Sequence, residues 1–347
     1  MKAVVLESPK KIVFDKDFPD SVPYLGEVLV DVKAVSICGS DIRRVVHAEA
    51  HTYPIILGHE IAGVVSEVGE QVYGEWLGKR VSVVPLIPCM DCPMCLQGRY
   101  SGCQYYSFIG SRRNGGFAEK VAVPRSNLIE IPDDLAFEHA ALIEPSSVAL
   151  HALERGGLAE DMSVAVLGSG SIGMFVIQWA KIKCASLVIA SDVDSEKLQL
   201  AKKLGADITV DAGKEDTERI AREQTGEGVD LTLETAGTID TLTDAVRVTR
   251  PGGVVVCVGN LPSDAALPAT LIESIARKEL DVRGTWMSYS APFPGHEWHE
   301  GISRLADGSL DPASMISHRF KLKEAPAVFK KIERGKLRYK KIILCGE

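Results

Sequence analysis

Along residues 28–33 the chain alternates, with Val28, Val30 and Val32 on one face and Leu29, Asp31 and Lys33 on the other. A period of two marks a strand with one face in a core, here over residues 28–34. Residues 3–6 open the chain as another strand, and 61–65, 80–84 and 117–123 are further candidates. Short strands joined by long connections rich in glycine and proline suggest a compact barrel that carries chemistry on its connections. The period changes at residue 164. Val164, Ala165, Val166 and Leu167 run into Gly168, Gly170 and Gly173, after which Ile172, Phe175, Val176, Trp179, Ala180 and Ile182 recur at helical spacing. Residues 187–190 read as a second strand. Asp194 can cap a helix whose Leu198, Ala201 and Leu204 form an apolar stripe, and Gly205 stops it. Strands at 208–210, 229–233, 254–258 and 280–283 follow, with 251–253 read as a turn. These six strands predict an α/β class, a doubly wound parallel sheet standing beside a mainly β domain.

Past Gly284 the alternation stops, and Trp286, Tyr289, Phe293, His296, Trp298 and His299 crowd together with prolines. Such a stretch is either a packed loop or part of a substrate cleft. A helix at 325–334 and a strand at 341–344 complete the chain. At 347 residues it suits two domains. We expect one to comprise 1–145 and 286–347, and the other 146–285.

The glycines carry the first chemistry. Gly168 allows a tight turn, Gly170 lets a pyrophosphate approach the backbone, and Gly173 lets helix pack on strand. The N–H groups freed at the helix start, near Ser171 and Ile172, then face the phosphates. The second strand ends at Asp192, a carboxylate placed to accept hydrogen bonds from an adenosine ribose. It would repel a phosphate there, so NAD is expected over NADP, with Lys197 nearby as a further cofactor residue.

Charge narrows the partners. Acids exceed bases by 47 to 39, giving a net charge of −8, which argues against nucleic acid or an anionic membrane as the main partner. No basic, apolar and cleavage regions occur in series at the start, and no apolar run nears membrane-spanning length, so a cytoplasmic location is expected. Four of the eight cysteines lie between positions 89 and 103. Without a secretion signal, such a cluster suggests a metal rather than disulfides. Cys184 and Cys257 read as small buried hydrophobes.

Cys89, Cys92, Cys95 and Cys103 can close a tetrahedral thiolate cage with no open position, which makes a structural zinc the expected occupant. An iron–sulfur cluster is the rival, but ferredoxin spacing places the next cysteine three residues on and before a proline. Cys103 does neither. A second set is spread out. Cys38 in Cys38-Gly39-Ser40-Asp41 and His59 in Gly58-His59-Glu60 make a good zinc pair, with a carboxylate as third ligand and one position open. Glu144 sits in an apolar run, where a metal, a salt bridge or a helix start would account for it.

Taken together these motifs, with Gly63 and Gly69 behind His59, resemble the zinc-dependent medium-chain dehydrogenase/reductase family over essentially the whole chain. Ile143-Glu144-Pro145, the stretch FIGSRRNGGFAE at 108–119 and GTWMSYSAPFPGHEW at 284–298 resemble its polyol dehydrogenases. The resemblance implies a GroES-like catalytic domain and a Rossmann dinucleotide domain. It also implies a catalytic zinc on Cys38, His59 and Glu144, with Glu60 a direct or exchanging ligand, a structural zinc on the four cysteines, and NAD. A homodimer or homotetramer is implied as well. The implied reaction is hydride transfer from a secondary hydroxyl, with Ser40 placed to accept or pass its proton. Several relatives carry a histidine where this chain has Arg43, which removes the group a relay there would use. His47 and His51 are weaker relay candidates. The expected substrate is a phosphorylated hexitol such as galactitol 1-phosphate, its phosphate met by Arg43, Arg112 or Arg113, with Trp286 and Tyr289 as further contacts. A free polyol, another secondary alcohol or L-threonine keeps the same architecture. A zinc- and nucleotide-binding protein without turnover is the rival from another class.

Overall fold

Strand Glu27–Ser36 organises the first half of the molecule in this computed structural model, which describes residues 1–262 and 264–346. It is the long middle strand of a seven-stranded sheet whose order runs Leu128–Glu130, Arg80–Val83, Glu60–Val68, Glu27–Ser36, Lys341–Cys345, Ile316–Lys321. One edge of it is shared. Glu27 to Asp31 pair with Lys120–Pro124, and Ala34 to Ser36 pair with Lys341–Cys345. The valines expected on one face, Val28, Val30 and Val32, all enter the core, packed with Ile61, Val121 and Phe117. Leu29 is buried as well, although Asp31 and Lys33 on the same face reach solvent.

Contacts divide the chain into two units. The first comprises 1–144, 289–308 and 312–347, and the second 145–288 with 309–311. The second unit holds a six-stranded sheet in which every neighbouring pair is parallel. In order of appearance its strands are Ser163–Leu167, Leu187–Asp192, Ile208–Asp211, Val229–Glu234, Thr249–Cys257 and Asp281–Gly284. Across the sheet they run third, second, first, fourth, fifth, sixth, the doubly wound order. Helix Ser171–Ile182 is buried along most of its length, and Trp179 lies fully inside, donating its indole N–H to the Ser146 carbonyl at 3.0 Å. Among the described residues no helix is long and apolar enough to cross a membrane.

Local expectations needed three corrections. Pro251, Gly252 and Gly253 lie inside strand Thr249–Cys257, whose pairing with Val229–Glu234 shifts register between Val229 and Leu231 and absorbs the irregularity. Phe117 is not in a strand. It is a fully buried core ring whose N–H donates to the Leu57 carbonyl. Cys184 is exposed, at a φ of 61° in the turn that ends the Trp179 helix, so it is not a core residue.

Gly63 shows how tightly the central strands meet. A Cβ there would lie 2.1 Å from the Asp31 carbonyl oxygen, a backbone atom of the neighbouring strand. Gly63→Ala should force the two strands apart and destabilise the protein by about 3 kcal/mol or more. The thermal midpoint measured by circular dichroism should fall by several degrees, and an unchanged midpoint would refute the packing argument.

Candidate active site

Three neighbouring strands bring the first cluster together at one end. Ser36, the last residue of the middle strand, pairs with Glu60 on one side and with Ile343 on the other. Cys38 therefore leaves the sheet beside Glu60 and Lys341. Cys38 then caps helix Gly39–Val46, and its N–H donates to Asp41 Oδ2 at 3.0 Å, so this short helix fixes both side chains. The ligand atoms of Cys38, His59 and Glu60 lie within 4.8 Å of one another, a set able to hold a metal ion. Glu144, in the first turn of helix Ile143–Gly156, is buried beside them but falls outside that 4.8 Å set.

The cluster is dense in buried charge. Glu60 and Lys341 are paired by contacts of 2.7 and 2.6 Å, with side chains only 1% and 2% exposed. Burial alone would lower the Lys341 pKa, but the Glu60 carboxylate, with Cys38 behind it, outweighs that and raises it. Asp41 is wholly buried, 3.6 Å from His59 Nδ1 and 3.7 Å from Arg44. Burial opposes ionisation of Asp41, yet His59, Arg44 and the Cys38 N–H hold its carboxyl below the usual value. His59 is raised well above its ordinary value in return: burial works against the charge, while Asp41 and then Cys38 favour it. Burial pushes Glu144 up to about 7, helped by the Glu60 and Asp41 charges and opposed by His59 and Lys341.

Those groups fit a cation. His59 Nδ1 and Asp41 Oδ1 are buried with no hydrogen-bond partner. Buried polar atoms are seldom left so. A divalent ion on Cys38 and His59 would let the ring shed its extra proton, with Nδ1 turned to Asp41 and the other ring nitrogen to the ion. The donor set of one sulfur, one imidazole and carboxylates is a zinc set.

The four cysteines form a separate lobe. Cys89, Cys92, Cys95 and Cys103 offer sulfurs within 4.8 Å of one another. Cys92 caps the short turn Pro93–Leu96, and backbone N–H groups of Cys95 and Gln104 aim at its sulfur, bringing its pKa down to about 6. One thiolate is thus ready at neutral pH. Burial beside the other thiols pushes Cys95 up to about 12 without a metal. A cation would be needed to ionise all four together.

In the second unit the glycine turn has the expected geometry. Gly168 sits at a φ of 98°, Gly170 precedes helix Ser171–Ile182 with nothing within 4 Å of a Cβ there, and a Cβ on Gly173 would lie 2.0 Å from the Gly168 carbonyl oxygen. Asp192 reaches this turn, accepting the Ser169 N–H at 2.7 Å, with Lys197 Nζ 3.7 Å from the same oxygen. Glu234 was not expected here. Buried at the end of its strand, it accepts from the N–H groups of Ala236 and Gly237 and from the Thr241 hydroxyl. It thereby holds the loop whose Ala236 would meet a Cβ on Gly168. An acid followed by a small-residue turn was the available signal.

The expected substrate contacts fare unevenly. Arg43 is tied to Glu49 by two hydrogen bonds of 2.8 and 3.2 Å. Arg113 is half-buried, bound to Glu27 at 2.7 Å and to the Ala122 carbonyl. Both stand in ion pairs within the protein. Tyr289 is packed inside. It is 3% exposed, stacked between Phe293 and Trp298, and its oxygen accepts the Leu86 N–H. Trp286 is 53% exposed and belongs to the second unit. Arg112 is exposed and stacks on Tyr106. Ser40 accepts a hydrogen bond of 2.8 Å from Arg44, which was not among the expected site residues although it stands one helical turn away.

Two sheets of these kinds, a zinc-type donor set and a glycine turn define a dehydrogenase of the medium-chain class, and the comparisons agree. Residues 25–133 match the alcohol dehydrogenase GroES-like domain and residues 171–307 the zinc-binding dehydrogenase domain. The chain belongs to the medium-chain zinc-binding dehydrogenase family. It is 39% identical to galactitol 1-phosphate 5-dehydrogenase of Escherichia coli (strain K12), over 92% of each chain. The crystal structure of galactitol-1-phosphate dehydrogenase from Escherichia coli superposes with a TM-score of 0.93 at 37% identity, covering 99% of this chain and 100% of that one. Sorbitol dehydrogenase of Bacillus subtilis (strain 168) is 34% identical, over 93% of this chain and 91% of its own. A zinc-binding dehydrogenase of Sinorhizobium meliloti 1021, solved bound to NADP, superposes with a TM-score of 0.90 at 34% identity over 99% and 98% of the two chains.

Two measurements check the metal sites. Cys92→Ser should lower the zinc content by one ion per chain and the thermal midpoint by at least about 5 °C. A variant of unchanged midpoint would show that the lobe stands without metal. The second concerns pH. Metal-free His59 and Glu144 both hold protons that a cation must displace, so zinc affinity should rise with pH through about 7. Competition with a chromophoric chelator should show a gain of roughly tenfold or more per pH unit between about pH 6 and pH 8. Cys38→Ser supplies the contribution of the four-cysteine site for subtraction, and a flat remainder would contradict the charge assignment.

Proposed function

We propose that the protein is a zinc- and NAD-dependent dehydrogenase that oxidises a secondary hydroxyl of a sugar alcohol phosphate, of the galactitol 1-phosphate to tagatose 6-phosphate type. The observation that carries this reading is the set of Cys38, His59 and Glu60, in a chain 39% identical to a galactitol 1-phosphate 5-dehydrogenase. Cys38, His59 and a glutamate would hold a zinc ion, which would supply Lewis acidity toward the hydroxyl, and NAD would supply the hydride acceptor. The second zinc belongs to Cys89, Cys92, Cys95 and Cys103.

The chain's own residues divide the remaining work. Asp41 fixes the His59 ring through the face that carries Nδ1. Lys341 holds Glu60 in place and balances its charge. Ser40 receives the substrate's hydroxyl proton or passes it on. A guanidinium has no acceptor, so in its bond with Arg44 the Ser40 oxygen must be the acceptor, which leaves the serine hydrogen free to point elsewhere. In the second unit Gly168, Gly170 and Gly173 cradle the pyrophosphate at the start of helix Ser171–Ile182, and Ser171 and Ile172 offer their N–H groups. Asp192 receives the adenosine ribose and disfavours a phosphate there. The relative solved with NADP and the proximity of Lys197 make this the point to test.

A second reading, a dehydrogenase of free polyols, is favoured by the likeness to sorbitol dehydrogenase. Purified protein assayed with NAD and NADP against galactitol 1-phosphate, galactitol, sorbitol and xylitol separates the two. We expect kcat/KM with NAD to exceed that with NADP by at least about tenfold, and galactitol 1-phosphate to lead the panel. Equal efficiency on galactitol and its phosphate would leave a general polyol dehydrogenase. Comparable efficiency with both nucleotides would remove the assignment of Asp192.

A further inference from the structure

An acidic protein that takes a phosphorylated polyol must gather cations locally, and the two arginines tied to Glu49 and Glu27 do not provide them. Two others flank the zinc-type cluster. Arg44 stands one turn after Ser40 on helix Gly39–Val46, and its Nη1 donates to Ser40 Oγ at 2.8 Å and lies 3.7 Å from Asp41. Its Nε and Nη2 have no partner among the described residues. Arg112 is carried by the loop at 109–116, which is pressed onto the approach to His59. A Cβ on Gly110 or Gly115 would lie 2.5 or 2.2 Å from the Gly58 carbonyl oxygen, and Asn114 accepts the Ile56 N–H. At the start of that loop the Phe108 ring meets the His59 ring at 5.6 Å. Arg112 stacks 4.6 Å above Tyr106 and gives Nη2 to its hydroxyl, leaving Nε and Nη1 without an acceptor among the described residues.

We propose that Arg44 and Arg112 form a subsite for the phosphate of the substrate, beside Ser40 and His59, with His51 at its rim. The proposal rests on the reading of the substrate as a polyol phosphate. Each arginine keeps an open edge of its fork, and a planar fork suits phosphate through paired, charge-assisted hydrogen bonds. Burial lowers the His51 pKa first, and the charges of Arg112 and Arg44 lower it further. An imidazole that resists protonation adds no third charge of its own but remains a hydrogen-bond donor. Asp41 does not cancel the subsite, because its carboxylate is fully buried and faces His59 as well as Arg44.

The test compares wild type with Arg112→Gln, Arg44→Gln and Arg44→Lys, using galactitol 1-phosphate and galactitol as substrates and inorganic phosphate as an inhibitor of galactitol oxidation. In the wild type phosphate should compete with the polyol. Arg112→Gln should raise KM for galactitol 1-phosphate by about tenfold to a hundredfold and change KM for galactitol by no more than about twofold. Arg44→Gln should do the same and also lower kcat on both substrates, since Ser40 loses its donor. Arg44→Lys should recover part of the phosphate preference but not the full fork. Zinc content and thermal midpoint confirm that each variant is folded and loaded. A wild type that prefers the phosphorylated substrate, with that preference intact in both glutamine variants, would overturn the subsite and leave the substrate reading standing. Inhibition by phosphate that depends on Arg44 and Arg112, in a wild type without preference for galactitol 1-phosphate, would keep the subsite and overturn the substrate reading. Phosphate inhibition equal in all four proteins would overturn the subsite.

Discussion

Buried charge is the constraint on which the first unit depends. Asp41, His59, Glu60, Glu144 and Lys341 are all shielded from water around Cys38, in a region otherwise built from valine, isoleucine and phenylalanine. Isolated, any one of them would cost several kcal/mol to bury, about 3–5 kcal/mol when a partner is removed. They are tolerable only as a set. The pairing of Glu60 with Lys341 joins residues 281 positions apart, so the site cannot be complete until the C-terminal strand has taken its place beside Glu27–Ser36. The same requirement explains why the chain leaves this unit, builds the six-stranded sheet, and then comes back. The last strand supplies both three backbone pairings at Ala34, Val35 and Ser36 and the only cation among the described residues that pairs directly with Glu60.

A metal changes the balance in a definite direction. Without one, His59 is held protonated and Glu144 tends toward its neutral form, so the cluster supplies its own positive charge. With a divalent ion on Cys38 and His59, the ring no longer needs its second proton, and the carboxylates have a stronger counter-charge than an imidazolium. Asp41 then acts on the ring's orientation more than on its charge. Glu60, already matched by Lys341, can approach or leave an ion without becoming an unpaired charge. Among the described residues Glu144 has no direct cationic partner and answers to the whole cluster, which is why burial dominates its behaviour.

Much of this was legible in the chain. The alternation at 28–34, the cysteine spacing at 89–103 and the strand, glycine turn and helix at 164–182 each encode a local structure whose period or spacing has few alternatives. What could not be read was pairing between distant positions. Lys341 looked like the start of an ordinary strand, and nothing near it in sequence announces Glu60. Arg113 and Arg112 are neighbours with the same chemistry, yet Glu27, 86 residues away, engages one and Tyr106 the other. Tyr289 stood in an aromatic segment that could have lined a cleft, and packing against Phe293 and Trp298 decided the matter. Arg44 was accessible to sequence reasoning. Its distance of four residues from Ser40 on a helix capped by Cys38 puts the two side chains on one face.

The arrangement separates the choices that a dehydrogenase must make. The metal set sits at strand ends and a helix cap, where register and burial permit little change. The glycine turn and Asp192 stand in the other unit, so under the proposed reading nucleotide preference can vary without disturbing Cys38 and His59. On the same proposed reading, recognition of the far end of the polyol falls to Arg44 and to the loop at 109–116, whose glycines fix its path while its exposed side chains remain free to differ. A rigid support with a variable rim is how one fold serves several substrates. Relatives that share a third or more of their residues with this chain include both a sorbitol dehydrogenase and a galactitol 1-phosphate 5-dehydrogenase. Under this division of labour, the difference between a free and a phosphorylated polyol requires no change at Cys38, His59 or Glu60, only a change in which guanidinium forks the rim leaves open.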